Sequence, residues 1–251
     1  MAGLPEGLAM PSCSLRGGVL IIAAAALAAL PGAALAQAYQ CRVPGAAFNI
    51  PKPVPDGPAR QAAPTHYTLA LSWSPEYCRT RKAKAADNFQ CGGRNGRFGL
   101  VLHGLWPEGK GGNWPQWCPT KLQVTPQIAR QNLCMTPSAA LIAHEWAKHG
   151  SCMAKRPEAY FKTARGLWSS LTLPDLDRLS KQPGLTAGAI RQALADASPA
   201  FTPDKIGVRL NKGGWLEEIR LCYNKAFRPT RCTKAQFGPA NQVPAKIWRG
   251  L

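Results

Sequence analysis

The chain has 251 residues, 45% of them hydrophobic, which suits one globular domain with a sizeable core and does not require a second. Its formal net charge of +18 at pH 7 indicates a polyanionic partner, either nucleic acid or an acidic membrane or wall polymer, unless the charge serves solubility alone. The nine cysteines contain no CxxC spacing, which argues against a zinc ribbon and a thioredoxin-like redox site.

The first 36 residues have the pattern of an export signal. Arg16 supplies positive charge, Val19–Leu30 is an apolar run, and Ala34-Leu35-Ala36 offers small residues at the positions that a signal peptidase reads. An uncleaved membrane anchor is the alternative, but the run has 12 residues and a bilayer span needs roughly 20. We therefore expect removal of residues 1–36, a periplasmic or secreted protein, and no stable membrane association afterwards.

Removal of this signal takes away one basic and one acidic residue, so the net charge stays at +18, and it also takes away Cys13. Eight cysteines remain, and an even number in an exported chain indicates a disulfide framework. Because eight cysteines can pair in many ways, their number alone leaves the connectivity open.

A proline-rich arm follows over residues 37–64. Its six prolines exclude a regular helix and a central strand. We expect an irregular segment that Cys41 could attach to the rest of the protein, and then a catalytic domain over residues 65–251.

The domain begins with two predicted strands and a loop between them. His66–Trp73 is rich in aromatic residues, Thr and Leu and alternates in part, which is typical of a strand. Residues 79–97, with many Lys, Arg and Gly residues, predict a surface loop. The continuous apolar run Phe98–Leu102 predicts a central strand buried on both faces, with His103 at its end.

The middle of the domain predicts a loop and then a helix. Residues 104–120 are rich in Gly, Pro and Trp and predict the loop. Thr136–His149 predicts the helix, because Thr136 is a good N-cap, Pro137 suits the first helical position and Gly150 suits the end.

Three further elements complete the expected fold. Pro157–Leu171 and Thr186–Ala197 predict helices, and Trp215–Tyr223 predicts a late strand. Strands with helices before and between them indicate an α+β fold with a mainly antiparallel sheet and flanking helices.

Three of the four histidines fall in two short segments, beside other ionisable residues. His103 lies in FGLVLHGLWPEG, and His144 and His149 lie in AHEWAKHGSC. On a helix, Glu145, Lys148 and His149 would share one face. A carboxylate four residues before a histidine can hydrogen-bond its ring and raise its pKa. One buried histidine is usually structural, but three together in a basic exported chain indicate catalysis.

A zinc metalloprotease is the first alternative, because His-Glu on a helix is half of the HExxH motif. Here the two histidines, His144 and His149, are five residues apart, which turns a helix by about 500° and points the rings about 140° apart. Lys148 would also repel a divalent cation. No GxSxG motif is present and the cysteines are expected to be oxidised, so neither a serine nor a cysteine nucleophile is indicated.

Acid–base catalysis by two imidazoles remains. One ring takes a proton from a neighbouring hydroxyl that attacks a phosphodiester, and the other gives a proton to the leaving oxygen. Lys148 and a protonated His144 could stabilise the extra negative charge of the phosphorane. The neighbouring hydroxyl is the 2′-OH, so the expected substrate is RNA, and the reaction needs no metal ion or other cofactor.

At these two segments the sequence resembles the ribonuclease T2 family. HGLWP at 103–107 and HEWAKHGSC at 144–152 are similar to the two active-site motifs of that family, and a weaker likeness extends from Tyr67 to Cys232. The resemblance implies an α+β fold with a central antiparallel sheet. It also implies cleavage of RNA through a 2′,3′-cyclic phosphate to a 3′-phosphate.

The resemblance also implies roles for the residues of both motifs. His103 would be the general acid that protonates the 5′-oxygen, and His149 would be the general base on the 2′-OH. Glu145 and Lys148 would stabilise the transition state, and His144 would bind the phosphate.

Substrate-binding roles follow from the same resemblance. Trp106 is similar to the residue on which the family stacks a base, although a tryptophan there could also belong to the core. Glu108 stands where the family often has Asp in contact with a base, and its longer side chain puts the base preference in doubt. Trp114 and Trp117, in the following loop, could either pack in the core or stack on RNA.

The family further implies the disulfides Cys118–Cys152, Cys222–Cys232 and Cys78–Cys91, which would leave Cys41 to pair with Cys134. An inactive RNA-binding or polyanion-binding protein on the same scaffold is the alternative from another functional class. The complete set of five motif residues favours the enzyme, whose partner is RNA. We also expect a monomer.

Overall fold

The computed structural model describes residues 41–45 and 49–249, and the expected export signal lies outside them. Within these ranges the chain forms a four-stranded antiparallel sheet in the order β2-β1-β4-β3, with helices packed around it. The α+β class and the antiparallel sheet agree with the prediction. Among the described residues, no helix has the length and apolar character that crossing a bilayer requires.

The strands are β1 (His66–Trp73), β2 (Leu100–Glu108), β3 (Ile206–Leu210) and β4 (Leu216–Asn224). β1 has the predicted bounds, and β4 begins and ends one residue later than predicted. β3 was not predicted. β1 pairs with β2 on one side and with β4 on the other, so it joins the strand that carries His103 to the strand that carries Glu218.

β2 differs from the prediction in length and position. It lies at an edge of the sheet, and it continues to Glu108 rather than ending at His103. Its apolar start is nevertheless buried, because the protein covers this edge: the backbone N–H of Leu102 donates to the carbonyl of Met135 at 2.8 Å. A covered edge strand has the same continuous apolar sequence as a central strand, which explains the wrong prediction.

The helices are α1 (Ser74–Cys78), α2 (Asn88–Cys91), α3 (Pro126–Asn132), α4 (Ala139–Lys148), α5 (Pro157–Ser169), α6 (Leu176–Leu179), α7 (Ala187–Ala197) and α8 (Lys234–Phe237). α5 and α7 match predicted helices to within two residues. Thr186 caps α7 as predicted, since its side chain accepts from the backbone N–H of Ala189. The predicted loop over 79–97 contains a 3₁₀ turn, Ala85–Asp87, and the short α2.

α4 begins later than predicted. Ser138, not Thr136, is its N-cap, and the Ser138 side chain accepts from the backbone N–H of Leu141. The Thr136 hydroxyl instead donates to the carbonyl of Leu102 at 2.9 Å, which attaches the approach to α4 to β2. The helix ends at Lys148, and His149 is its C-cap rather than its last turn. Both Thr136 and Ser138 are good N-caps by sequence, so tertiary contacts decided between them.

The core lies between the sheet and the longer helices, which bury apolar side chains against it. α4 contributes Ile142 and Trp146, and α5 contributes Tyr160 and Phe161, all of them at most 2% exposed. The described residues contain four disulfides. Cys78–Cys91, Cys118–Cys152 and Cys222–Cys232 are the pairings that the family resemblance implies, and Cys41–Cys134 is the pairing that these three leave.

Candidate active site

His103 occupies a β-bulge of β2. Gly104 lies opposite Ala70 of β1 and Leu102 lies opposite Leu71, so His103 is an extra residue between two paired positions. Its Nδ1 is 2.8 Å from Oε2 of Glu218, and its Nε2 is 3.7 Å from Oε1 of Glu145. Burial would lower the pKa of His103, but the Glu218 hydrogen bond and the two carboxylate charges outweigh burial and raise that pKa.

Glu218, on β4, is the partner that orients the ring of His103. Its Oε1 also accepts from Nε of Arg220 at 2.8 Å. Burial raises the pKa of Glu218, but the hydrogen bond with His103 and the charges of His103 and Arg220 outweigh burial and lower it, so the carboxylate is ionised. Neither residue was predicted as part of the site. Their spacing at i and i+2, which places both on one face of a strand, was the available signal.

His149 has different surroundings. It is 8% exposed, and its Nδ1 has no hydrogen-bond partner among the described residues. Burial, followed by the charge of Lys148, lowers the pKa of His149 to about 3. The sequence suggested that Glu145 would hydrogen-bond this ring and raise its pKa, and both expectations are wrong.

Glu145 points instead toward β2. It is 2% exposed, and its Oε2 accepts from Nε1 of Trp106 at 2.9 Å while its Oε1 faces His103. Burial raises the pKa of Glu145 to about 7 despite the neighbouring charge of His103. The Glu145 carboxylate can come this close to β2 because residue 104 is glycine; a Cβ at that position would overlap the carboxylate.

Trp106 lies between the two catalytic candidates. Its ring centroid is 5.1 Å from that of His103, edge to face, and 5.7 Å from that of His149. The guanidinium of Arg220 lies over the same indole, 5.2 Å from its centroid. His103 and His149, on separate elements, therefore contact one indole and belong to one site.

Lys148 and His144 form the other side of the site. Nζ of Lys148 is 2.6 Å from Oδ2 of Asp56, a residue of the proline-rich arm. The rings of His144 and Trp117 meet edge to face at 5.3 Å. Burial, followed by the charge of Lys148, lowers the pKa of His144, which does not favour the protonated form expected from the sequence.

The residues that the sequence suggested for base binding have different surroundings in the structure. Trp106 is in the site, as described above. The carboxylate of Glu108 accepts from the hydroxyl of Thr68 on β1 at 2.7 Å. The guanidinium of Arg60, in the arm, lies over the Trp114 ring, 4.1 Å from its centroid. Trp117 donates through Nε1 to Oδ1 of Asp56 at 3.0 Å.

A cavity of about 570 Å³ opens beside His103, on the face of the sheet that also carries Glu218. This volume is in the range of a small-ligand site. Its wall includes four arginines: Arg79, Arg81, Arg209 and Arg220. A second cavity, about 640 Å³, includes none of the predicted catalytic residues in its wall. Among the described residues, no group of three or more His, Cys, Asp or Glu side chains is placed to hold a metal ion.

Comparison with known proteins gives three findings that agree. A family model described as the ribonuclease T2 family matches residues 65–232. A probable ribonuclease of Haemophilus influenzae is 30% identical over 187 residues, which are 70% of this chain and 64% of that protein. A ribonuclease of Aeromonas hydrophila is 32% identical over 171 residues, which are 64% of this chain and 72% of that protein.

A solved structure, RNase NT in complex with 5′-AMP, superposes with a TM-score of 0.53. It is 20% identical to this chain and covers 74% of it, and 98% of the RNase NT chain is covered. At this identity the likeness concerns the fold alone. The chain spans less than two thirds of the length of the Haemophilus relative.

Proposed function

Because the chain belongs to the ribonuclease T2 family, we propose that it is an endoribonuclease that cleaves single-stranded RNA without a metal ion, through a 2′,3′-cyclic phosphate to 3′-phosphate products. One observation carries the proposal. Two imidazoles contact the same indole, that of Trp106, but only His103 also faces two carboxylates. This asymmetry separates the acid from the base.

In the first step, His149 accepts the proton of the 2′-OH, since a ring with a lowered pKa is neutral and free to take one. The 2′-oxygen bonds to phosphorus and the bond from phosphorus to the 5′-oxygen breaks. His103, whose raised pKa keeps it protonated, donates to that 5′-oxygen. The products are a 2′,3′-cyclic phosphate and a free 5′-hydroxyl.

The transition state carries added negative charge on the phosphoryl oxygens, and Lys148, whose charge acts on His149 and His144, supplies a positive charge to stabilise it. Glu145 holds the Trp106 indole and balances the charge on His103. His144, with its lowered pKa, acts in this scheme as a neutral hydrogen-bond donor to the phosphate rather than as a cation. The arginine-lined cavity beside His103 lies on the leaving-group side and would receive the nucleotide that departs.

In the second step the two histidines exchange roles. His103, now neutral, accepts a proton from water, the water oxygen bonds to phosphorus, and the bond to the 2′-oxygen breaks. His149, now protonated, donates to that 2′-oxygen and leaves a 3′-phosphate. Each ring thereby returns to its starting protonation state.

The test is cleavage of RNA by the mature protein in excess EDTA. We expect full activity, and loss of about two orders of magnitude or more in His103→Ala and His149→Ala. His66→Ala is the matched control, because the ring of His66 is hydrogen-bonded to the Thr65 hydroxyl and not to a residue of either motif. Its removal should leave the rate unchanged. Activity that chelation abolishes, or that survives both catalytic substitutions, would contradict the proposal.

We also propose that residues 1–36 direct export to the periplasm or the medium, and that the mature protein is a monomer. The motivating observation is the charged, apolar and small-residue pattern of that segment. Mass spectrometry of the protein from the periplasm and the medium, and gel filtration of the purified chain, test both parts. A cytoplasmic protein that retains residues 1–36 would contradict the first, and a dimer would contradict the second.

A further inference from the structure

The proline-rich arm contacts Lys148 and Trp117, although the arm lies outside the residues that match the family model. Cys41 is bonded to Cys134, which attaches one end of the arm. Farther along, Arg60 and Gln116 exchange two backbone hydrogen bonds, of 2.8 and 3.0 Å, and the Gln116 side chain donates to the carbonyl of Pro58 at 2.8 Å. These contacts fix the residues just after Asp56.

Asp56 contacts two groups of the site with its two oxygens. Oδ2 is 2.6 Å from Nζ of Lys148, and Oδ1 accepts from Nε1 of Trp117 at 3.0 Å. The indole is itself positioned, because the Trp117 backbone N–H donates to the Lys148 carbonyl and Cys118 is bonded to Cys152. The Asp56 side chain is 51% exposed while that of Lys148 is 18% exposed, so the carboxylate covers the lysine from the solvent side.

This arrangement resembles the way an anionic ligand would bind. An ammonium group and an indole N–H are donors that a phosphate oxygen could use, and a carboxylate of this chain already uses both. A phosphate that reaches Lys148 must either displace Asp56 or lie beside its negative charge. Displacement would cost every anion the same lost contact between Asp56 and Lys148, whereas a carboxylate that stays beside the site repels the anion in proportion to its charge. Because the arm is hydrogen-bonded to Gln116 just after Asp56, we expect the carboxylate to stay.

We propose that Asp56 is a specificity-determining residue of the phosphate site, an internal anion that disfavours dianionic phosphate groups more strongly than monoanionic phosphodiesters. The proposal rests on the proposed function, in which the substrate is a diester with one negative charge and the final product ends in a monoester with about two. Asp56 thus weakens binding of the product more than binding of the substrate, and it favours product release.

The test uses two tetrahedral anions of fixed charge, sulfate and dimethyl phosphate, titrated into the mature protein at pH 7. Binding is followed by NMR through the indole N–H resonance of Trp117, which reports directly on the group that Asp56 contacts. In Asp56→Asn both anions should bind more tightly. Because the removed interaction scales with ligand charge, the fold gain for sulfate should be about the square of the gain for dimethyl phosphate.

Two further variants separate charge from structure. Asp56→Glu keeps the negative charge and should keep the wild-type ratio of the two dissociation constants. Asp196→Asn removes one charge from α7, where Asp196 bonds to Gln192, and should also leave the ratio unchanged. Equal gains for both anions, no gain, or the same effect from Asp56→Glu would each overturn the proposal.

Kinetics with a dinucleotide substrate gives an independent reading. Asp56→Asn should lower the inhibition constant of a nucleoside 3′-phosphate by a larger factor than it lowers KM, and kcat should not fall. A fall in kcat with unchanged KM would overturn the proposal in favour of a role in positioning Lys148. The anion titration does not require cleavage. A negative titration with RNA cleavage intact would therefore contradict the proposal for Asp56, whereas the absence of RNA cleavage would contradict the proposed function alone.

Discussion

At the scale of single residues, His103 and His149 differ most in what surrounds their rings. His103 faces the carboxylates of Glu145 and Glu218, while His149 is buried near the cation Lys148. The first environment raises a histidine pKa and the second lowers it. Between the two values lies a pH range in which one ring is charged and the other is neutral, as acid–base catalysis requires.

Glu218→Gln tests this dependence on a neighbouring charge. In the proposed mechanism, the raised pKa of His103 sets the alkaline side of the pH profile, since the acid is lost as pH rises through that pKa. Replacing the carboxylate by an amide lowers the pKa of His103, so the alkaline limb of kcat/KM should move to lower pH.

The matched control for that profile is Glu158→Gln. Glu158 lies at the start of α5, pairs with Arg156 at 3.5 Å and is outside the wall of the cavity beside His103. Its substitution should leave the alkaline limb in place. An unmoved limb in Glu218→Gln would mean that another group titrates on the alkaline side.

At this scale the sequence predicted the residues within each motif but not those that complete the site from elsewhere. His103, His144, Glu145, Lys148 and His149 could be found because they lie in two short segments. Glu218 and Asp56 reach the site through strand pairing and arm docking, which leave no local pattern. The partner of Glu145 was mistaken for a similar reason, since helical spacing gives the face of a side chain but not which neighbour it meets.

At the scale of elements, the bulge of β2 and helix α4 determine how the motifs meet. The extra residue in β2 is His103 itself, and this bulge changes the direction of its side chain. The following Gly104 leaves space for the Glu145 carboxylate from α4. Tyr160 of α5 secures the same strand, because its hydroxyl lies 3.1 Å from the backbone nitrogen of Leu105. β2 and α4 are thus in close contact at His103 and Glu145, and a Cβ added at Gly104 would overlap the Glu145 carboxylate.

Gly104→Ala should therefore impair both stability and catalysis. The new Cβ would displace the Glu145 carboxylate, at a cost of about 1–3 kcal/mol in the free energy of unfolding, and kcat should fall with it. Urea unfolding and steady-state kinetics measure the two effects.

Gly166→Ala is the control for that substitution. Gly166 lies in α5, and a Cβ added there would meet no atom within 4 Å, so alanine should raise the free energy of unfolding by about 0.5–1 kcal/mol. A neutral Gly104→Ala variant with unchanged kcat would show that α4 can retreat from β2 without consequence.

The element boundaries show where prediction from sequence ends. β1 and α7 were predicted closely because their patterns are local: partial alternation in one, and a capping threonine in the other. The start of α4 was not, because the Thr136 hydroxyl donates to the carbonyl of Leu102, which is distant in sequence. The extent of β2 was not, because its second half forms by pairing with β1. β3, which has only five residues, offers too short a pattern to be recognised.

At the scale of the whole molecule, the disulfides close loops of very different lengths. Cys41 and Cys134 are 93 residues apart, whereas Cys222 and Cys232 are 10 apart. In the chain-entropy account, a cross-link that closes a longer loop removes more freedom from the unfolded chain. The bond that attaches the arm should therefore be the more stabilising of the two.

The double variants Cys41→Ser/Cys134→Ser and Cys222→Ser/Cys232→Ser test this order. We expect losses of about 4–5 kcal/mol and about 3 kcal/mol, respectively, in the free energy of unfolding measured in urea under oxidising conditions. A smaller loss from the first pair would mean that the arm contributes little to holding the fold together.

The antiparallel sheet also determines when the site can exist. β1, near the start of the domain, lies between β2 and β4, and β4 comes last among the strands that the structure describes. While β4 is still unmade or inside the ribosome, Glu218 cannot reach β2. His103 then lacks the hydrogen-bonded carboxylate that orients its ring and raises its pKa. In the proposed mechanism, therefore, the general acid is not assembled until β4 has been made and has paired with β1.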